Sequence, residues 1–272
     1  MHVALSQVSS LRWPFEEDVE QYAAVPWPAI ELWLTKLEDY LQTHSASQAR
    51  QLLESHHVAA PVASLQGGLL SSQGPARQEA WNLLGRRLEL CAQLGVGVLV
   101  VACDVAGPLD DSTIQRVHVS LAQLADEAAR HGIDAALEFQ SQAALGNNLQ
   151  TAAAMVEQVG HPHLGLCLDA FHYYTGPSKP QDLDCLTRAN LFHVQLCDLA
   201  GVPRELAADS DRILPGDGEW ALRPIIEQLE RIGYQRWISV ELMNPRIGQV
   251  PPLQLGQAAM SAVQRLLGMA AQ

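Results

Sequence analysis

Four strand-length apolar runs in the second half of the chain carry, at or near their ends, groups that an apolar strand has no structural use for. Asp134-Ala-Ala-Leu-Glu-Phe139 carries Glu138, Leu164-Gly-Leu-Cys-Leu-Asp169 ends at Asp169, Leu191-Phe-His-Val-Gln-Leu196 carries Gln195, and Trp237-Ile-Ser-Val-Glu-Leu242 carries Glu241. Charged groups are rarely buried unless they are paired or hold a metal. Three carboxylates and an amide at matching places on four runs therefore point to one shared site.

The rest of the chain repeats the same unit. Further apolar runs at 2–8, 30–34 (with Glu31 inside it), 58–65 and 96–102 alternate with segments of helical spacing. Helices are expected over 16–24, 36–55 (Ser47 capping its second half), 76–94, 111–131, 148–159, 219–232 and 253–269. Gly95, Gly132, Gly160 and Gly233 stand where helices stop. Eight strands alternating with helices over 272 residues read as parallel βα units. The expected fold is α/β, a (β/α)8 TIM barrel forming one domain over 1–272. An open doubly wound sheet is the other architecture for this pattern. It calls for a glycine-rich phosphate loop after the first strand, and residues 6–14 contain no glycine.

Composition limits the function classes. The net charge is −13, and no Lys/Arg cluster offers a surface for nucleic acid. The N-terminus lacks the charged start and long apolar core of a signal peptide, and no apolar run approaches the roughly 18 residues of a membrane span. None of the five cysteines forms a CxxC pair, and they read as reduced, buried thiols of a cytoplasmic protein. The expected partner is a small molecule; neither nucleic acid nor a membrane is expected, and a homo-oligomer is compatible with the sequence.

In a barrel the active site lies at the C-terminal ends of the strands, which is where Glu138, Asp169, Gln195 and Glu241 fall. Carboxylates this close repel one another unless a cation neutralises them. The four would offer only oxygen, which favours Mn²⁺ or Mg²⁺ over Zn²⁺. His172, three residues past Asp169 in a loop above the site, is a candidate for acid–base work or substrate contact. His193 shares its strand face with Gln195 and is a second candidate for lining the substrate. Arg212 precedes Pro-Gly-Asp-Gly218 in the polar loop 200–218, and could hold a polar or anionic substrate. Gln66, with Trp13, Phe15 and Trp33, is placed to shape the pocket.

Together, Leu-Glu-Phe139, Leu-Asp-Ala-Phe-His172, Val-Gln-Leu-Cys-Asp198, Arg-Ile-Leu-Pro-Gly-Asp-Gly218 and Ser-Val-Glu-Leu242 resemble the xylose isomerase-like TIM-barrel superfamily, the sugar-phosphate isomerases and epimerases. The resemblance spans nearly the whole chain. It implies a divalent-metal-dependent enzyme of carbohydrate metabolism acting on a ketose, sugar phosphate or related polyol through an enediolate. It implies Glu138, Asp169, Gln195 and Glu241 as metal ligands, with Glu138 and Glu241 the proton-shuttling pair and His172 and Arg212 orienting the substrate. Glutamine as third ligand is similar to hydroxypyruvate isomerases and to one branch of 3-dehydroshikimate dehydratases, and the Arg-x-x-Pro-Gly-x-Gly element also looks like that branch. The chain departs from many members at Gln140 (commonly histidine), at Cys197 (lysine in inosose-dehydratase-like members) and at Gln66-Gly67-Gly68, where the dehydratase branch has an arginine.

Three rival readings remain open. A dehydratase of the 3-dehydroshikimate or inosose type shares the first proton abstraction. Endonuclease IV shares the barrel, but its zinc-rich site and basic surface fit an acidic chain poorly. A catalytically degenerate binding barrel would hold no divalent ion.

Overall fold

In the computed structural model, which describes residues 1–269, eight parallel strands close into a barrel in chain order. They are β1 (His2–Ser6), β2 (Ala29–Trp33), β3 (Ala59–Gln66), β4 (Val98–Cys103), β5 (Asp134–Phe139), β6 (Leu164–Asp169), β7 (Leu191–Leu196) and β8 (Trp237–Val240). The ring is completed by β1 pairing with β8, with Val3 opposite Ile238 and Leu5 opposite Val240. The open doubly wound sheet is thereby excluded. Among the described residues no helix is long and apolar enough to cross a membrane, and all five cysteines are free thiols.

The intervening helices are α1 (Phe15–Ala24), α2 (Leu34–Tyr40), α3 (Ala46–Ser55), α4 (Gly74–Leu94), α5 (Asp111–Arg130), α6 (Leu149–Val159), α7 (Ala170–Thr175), α8 (Arg223–Arg231) and α9 (Pro252–Leu267). Side-chain oxygens satisfy the free amides at several starts: Asp110 accepts from Thr113 N at 2.7 Å, and Asn148 from Thr151 N at 2.9 Å.

Three expectations change. The helix expected over 36–55 is two helices, because Ser45 caps α3 in a reciprocal box with Gln48: Ser45 Oγ accepts from Gln48 N at 3.2 Å and Gln48 Oε1 from Ser45 N at 2.8 Å. Ser47 is therefore inside α3 and not its cap. The helix expected from 219 begins only at Arg223, because the preceding backbone is tied elsewhere: Glu219 N donates to Leu199 O at 2.8 Å and Trp220 N to Asp198 Oδ1 at 3.0 Å. His172 lies in the short helix α7, not in a loop.

The apolar shell between strands and helices is continuous, with leucines such as Leu32, Leu88, Leu121, Leu137 and Leu229 fully buried. Each contributes roughly 1.5–3 kcal/mol on burial, which leaves room for a polar barrel interior. Val62, Val98, Val100, Ala136, Cys167 and Phe192 form the separate apolar cluster within the ring. Toward the strand C-termini the interior turns polar. Glu31, Ser64, His193 and Ser239 meet there in one hydrogen-bonded group, followed by Glu138, Asp169, Gln195 and Glu241. Asp169 stands level with Gln195 across the β6–β7 pair.

Candidate active site

The strand pleat sends alternate side chains inward, and at the C-terminal rim this places Glu138 on β5, Asp169 on β6, Gln195 on β7 and Glu241 just beyond β8. All four are buried. Asp169 also starts α7, because its Oδ1 accepts from Phe171 N at 2.8 Å. One turn of that helix brings His172 back over the site, with Nε2 3.7 Å from Asp169 Oδ2. Ligand atoms of Glu138, Asp169 and His172 lie within 4.8 Å of one another.

Arg212 enters the cluster from above. Nη1 donates to Glu241 Oε2 at 2.8 Å and Nη2 to Asp169 Oδ2 at 2.8 Å, while Nε and Nη2 both reach Asp209 Oδ1. Its guanidinium carbon stands 4.5 Å from the centre of the Phe171 ring. An arginine that is 1 % exposed is not a solvated loop residue.

The segment 199–220 that delivers Arg212 is pinned by Asp198. The Asp198 carboxylate accepts from the amides of Leu199 (2.8 Å), Gly216 (3.0 Å), Gly218 (3.1 Å) and Trp220 (3.0 Å), and an antiparallel bridge joins Asp198 to Ile213. The glycines of Pro-Gly-Asp-Gly218 now have physical reasons. Gly216 sits at φ +86°, and a Cβ on Gly218 would collide with Asp198 Oδ1 and Leu199 O. Asp198→Asn is expected to turn an NH₂ group on one pair of these amides, costing about 1.5–3 kcal/mol. Urea unfolding measures the loss, and limited proteolysis should show earlier cleavage within 199–220.

Charge is out of balance here. Glu31, Glu138, Asp169 and Glu241 are all buried, and Arg212 is the only guanidinium touching the cluster among the described residues. Two like charges 4 Å apart repel by about 4 kcal/mol at an effective dielectric near 20. Burial, reinforced by Asp169, pushes the Glu138 carboxyl well above the usual carboxylate range. Burial also raises Glu241, despite the Arg212 charge that pulls the other way. Burial lowers His172, against the pull of Asp169. A divalent cation would relieve these strains, so the donor set fits one. Carboxylate oxygens from Glu138, Asp169 and Glu241, with the Gln195 amide or His172, would hold it.

The other expected residues fall differently. Gln195 Nε2, not its oxygen, faces the carboxylates, donating to Glu241 Oε1 at 2.8 Å and Glu31 Oε1 at 2.9 Å; its oxygen accepts from Cys167 Sγ at 3.1 Å. His193 does line the barrel, but its Nε2 is engaged by Glu31 Oε2 (3.0 Å) and Ser239 Oγ (3.1 Å). Gln66 is buried with both amide ends occupied, accepting from Arg87 Nη1 at 3.2 Å and donating to Gly67 O at 2.7 Å. Phe15 is buried, its ring 5.0 Å from that of Tyr40, and with Trp13 it lines a cavity beside the loops that follow β1 and β2. Four contributors went unrecognised in the sequence: Glu31 beneath the site, Asp209 on Arg212, Gln140 donating to Glu138, and Ser141, whose Oγ lies 3.3 Å from His172 Nδ1.

Comparison with known proteins bears on the family and the fold. An inosose isomerase from Halalkalibacterium halodurans is 28% identical over 80% of this chain and 78% of its own length. A 3-dehydroshikimate dehydratase from Pseudomonas putida is 24% identical over 90% of this chain, which corresponds to 38% of that longer protein. The crystal structure of IOLI protein with a bound zinc atom superposes with a TM-score of 0.92 at 24% identity over 98% of both chains, a likeness of fold. The profile of the family described as xylose isomerase-like TIM barrel matches residues 19–266, and the chain belongs to that family.

Proposed function

We propose that the chain is a divalent-metal-dependent isomerase or epimerase that moves a proton at the carbon beside the carbonyl of a ketose or ring polyol ketone, through an enediolate. The carrying observation is the pair Glu138 and Glu241. Both are buried, and they approach one centre from β5 and β8 with Asp169 and Arg212 between them. A carboxylate positioned beside the substrate can take a carbon-bound proton as a general base. One glutamate removes the proton and the other returns it, on the opposite face for an epimerisation or at the neighbouring carbon for an isomerisation. Arg212, by exchanging a carboxylate contact for a substrate oxygen, orients the substrate, and His172 lies close enough to contact a hydroxyl. A bound cation supplies electrostatic stabilisation of the negative charge that develops on the carbonyl oxygen. Mn²⁺ and Mg²⁺ are favoured by the oxygen-rich set, and the nearby His172 suits Mn²⁺ better of the two.

The inosose isomerase relatives make inosose the first substrate to try. A second reading, dehydration of 3-dehydroshikimate, is favoured by the Pseudomonas putida relative, which aligns with 90% of the chain. The same proton abstraction would then be followed by loss of a β-hydroxyl. Incubation with inososes, a ketose panel and 3-dehydroshikimate in D₂O with Mn²⁺ separates the two. Deuterium entering beside a sugar or inosose carbonyl, with interconversion, is expected. A conjugated product absorbing in the ultraviolet from 3-dehydroshikimate, with no sugar exchange, would establish the lyase instead. Mn²⁺ at 100 times its Kd should also add about 2.7 kcal/mol of stability, read as a rise in Tm that EDTA reverses. No rise would favour the metal-free binding barrel.

A further inference from the structure

Glu31 is a carboxylate of the barrel interior that takes no part in the proton transfer. It is fully buried in β2. Its Oε1 accepts from Ser64 Oγ at 2.6 Å and from Gln195 Nε2 at 2.9 Å, and its Oε2 faces His193 Nε2 at 3.0 Å. Ser239 Oγ stands 3.1 Å from the same ring nitrogen. Strands β3, β7 and β8 thus bring side chains to one buried acid on β2, directly beneath the rim. A barrel built only for stability would fill this layer with branched apolar residues.

The contact with Gln195 carries the inference. An amide has two unlike ends, a nitrogen that donates and an oxygen that accepts, while an ionised carboxylate only accepts. Glu31 therefore repels the oxygen end and holds the nitrogen end. The Gln195 oxygen is left with the thiol of Cys167, 3.1 Å away, and a thiol is a weak donor. Gln195 Nε2 also donates to Glu241 Oε1 at 2.8 Å, a contact that a cation held by Glu241 would replace, leaving Glu31 as the acceptor that keeps the nitrogen. The oxygen has the partner most easily given up. We propose that Glu31 is a positioning residue for Gln195: by accepting the amide N–H when a divalent cation takes Glu241, it keeps the nitrogen occupied and leaves the oxygen as the end that serves the cation. The inference rests on the reading of Gln195 as a cation ligand, and it gives that ligand the orienting acceptor that metal-binding side chains characteristically need.

Calorimetric titration of Mn²⁺ into the full chain tests it, with Gln195→Ala, Glu31→Met, Glu31→Asp, Glu31→Gln and the double variant Glu31→Met/Gln195→Ala alongside wild type. Glu31→Met removes the acceptor, and Glu31→Asp retracts it while keeping the charge. Both are expected to weaken Mn²⁺ binding about 10–100-fold. Glu31→Gln retains an oxygen for the Gln195 amide and is expected to recover most of the affinity. Once Gln195 is alanine, Glu31→Met should cause no further loss. A purely structural role would lower the Tm of the chelated protein, yet give the same Mn²⁺ loss with or without Gln195, and that result overturns the proposal. Wild-type affinity in Glu31→Asp also overturns it, and this variant decides the matter if Glu31→Met does not fold. Absence of Mn²⁺ binding by wild type would instead bring down the metal reading on which the inference stands.

Discussion

Replacing Glu138 by glutamine is expected to lower turnover by about 10²–10⁴-fold, the range for loss of a positioned acid–base group, without unfolding the barrel. The folded state of this variant is favourable. Burial and the Asp169 charge already push Glu138 toward its neutral form, so an uncharged amide removes a repulsion. Glutamine can keep an oxygen for the Gln140 amide, which donates to Glu138 Oε2, and turn its own NH₂ toward the Asp169 side. Chelated Glu138→Gln protein should therefore match or exceed wild type in Tm. Glu241→Gln should lose turnover to a similar degree, but at a cost in stability. Glu241 Oε1 accepts from Gln195 Nε2 and Oε2 from Arg212 Nη1, so either placement of the new NH₂ group sets donor against donor. That costs about 1–3 kcal/mol. Turnover, with Tm measured in EDTA, checks both variants. Near wild-type turnover in Glu138→Gln would remove it from the proton-transfer pair and with it the proposed mechanism.

The contrast between these two glutamates shows how far the sequence could be read. Glu138, Asp169, Gln195 and Glu241 were legible because each sits at or near the end of an apolar run, where only a shared site explains it. The strand pleat then brings them to one rim. Arg212 was visible as a loop arginine beside Pro-Gly-Asp-Gly218, but its burial was not. Burial follows from Asp198, just past β7, gathering four backbone amides, three of them some twenty residues on, a contact that has no periodic signature. Glu31 was hidden for the opposite reason. One acid among Ile30, Leu32 and Trp33 looks like the outward side of a half-exposed strand. Only closure of the ring turns that face inward onto His193 and Gln195. His172 looked like a loop residue because α7 is six residues long, too short for a 3.6-residue period to show. Its readable signal was Asp169 as an N-cap. His193 was placed by its strand position and Gln66 by its place in the loop expected after 58–65, and neither shows whether the polar atoms are already taken by Glu31 or Arg87.

Lys36→Met is expected to cost about 3–5 kcal/mol at pH 8 and above, where Asp18 is ionised in the wild type, the range for leaving a buried charge without its partner. Lys36 Nζ lies 2.5 Å from Asp18 Oδ2, and both side chains are buried, at 6 % and 0 % exposure. The ammonium also donates to Ser10 O at 2.7 Å and Gln7 O at 3.2 Å, so it ties α1 and α2 to the turn that follows β1. That turn supports the active site, because Ser9 Oγ accepts from Leu242 N at 2.9 Å, one residue past Glu241. The pH dependence identifies the cause. Burial raises the Asp18 carboxyl to about 7, with Lys36 only partly offsetting it, and burial lowers Lys36. The folded state therefore binds the Asp18 proton more tightly than the unfolded chain, whose aspartates titrate near 3.9. Stability from this group is full below about pH 4 and falls as pH rises toward 7, by about 4 kcal/mol for a shift of roughly three pH units. In Lys36→Met the carboxyl should stay protonated to higher pH still. The loss relative to wild type should thus be largest above pH 7 and shrink toward pH 5, where Asp18 is neutral in both proteins. Adding Asp18→Asn to Lys36→Met should recover part of the stability at pH 8, since the unpaired charge is gone. Urea unfolding of the three proteins at pH 5 and pH 8 measures this. A loss of the same size at both pH values would mean that Lys36 acts through its packing and its backbone contacts, and not through the Asp18 charge.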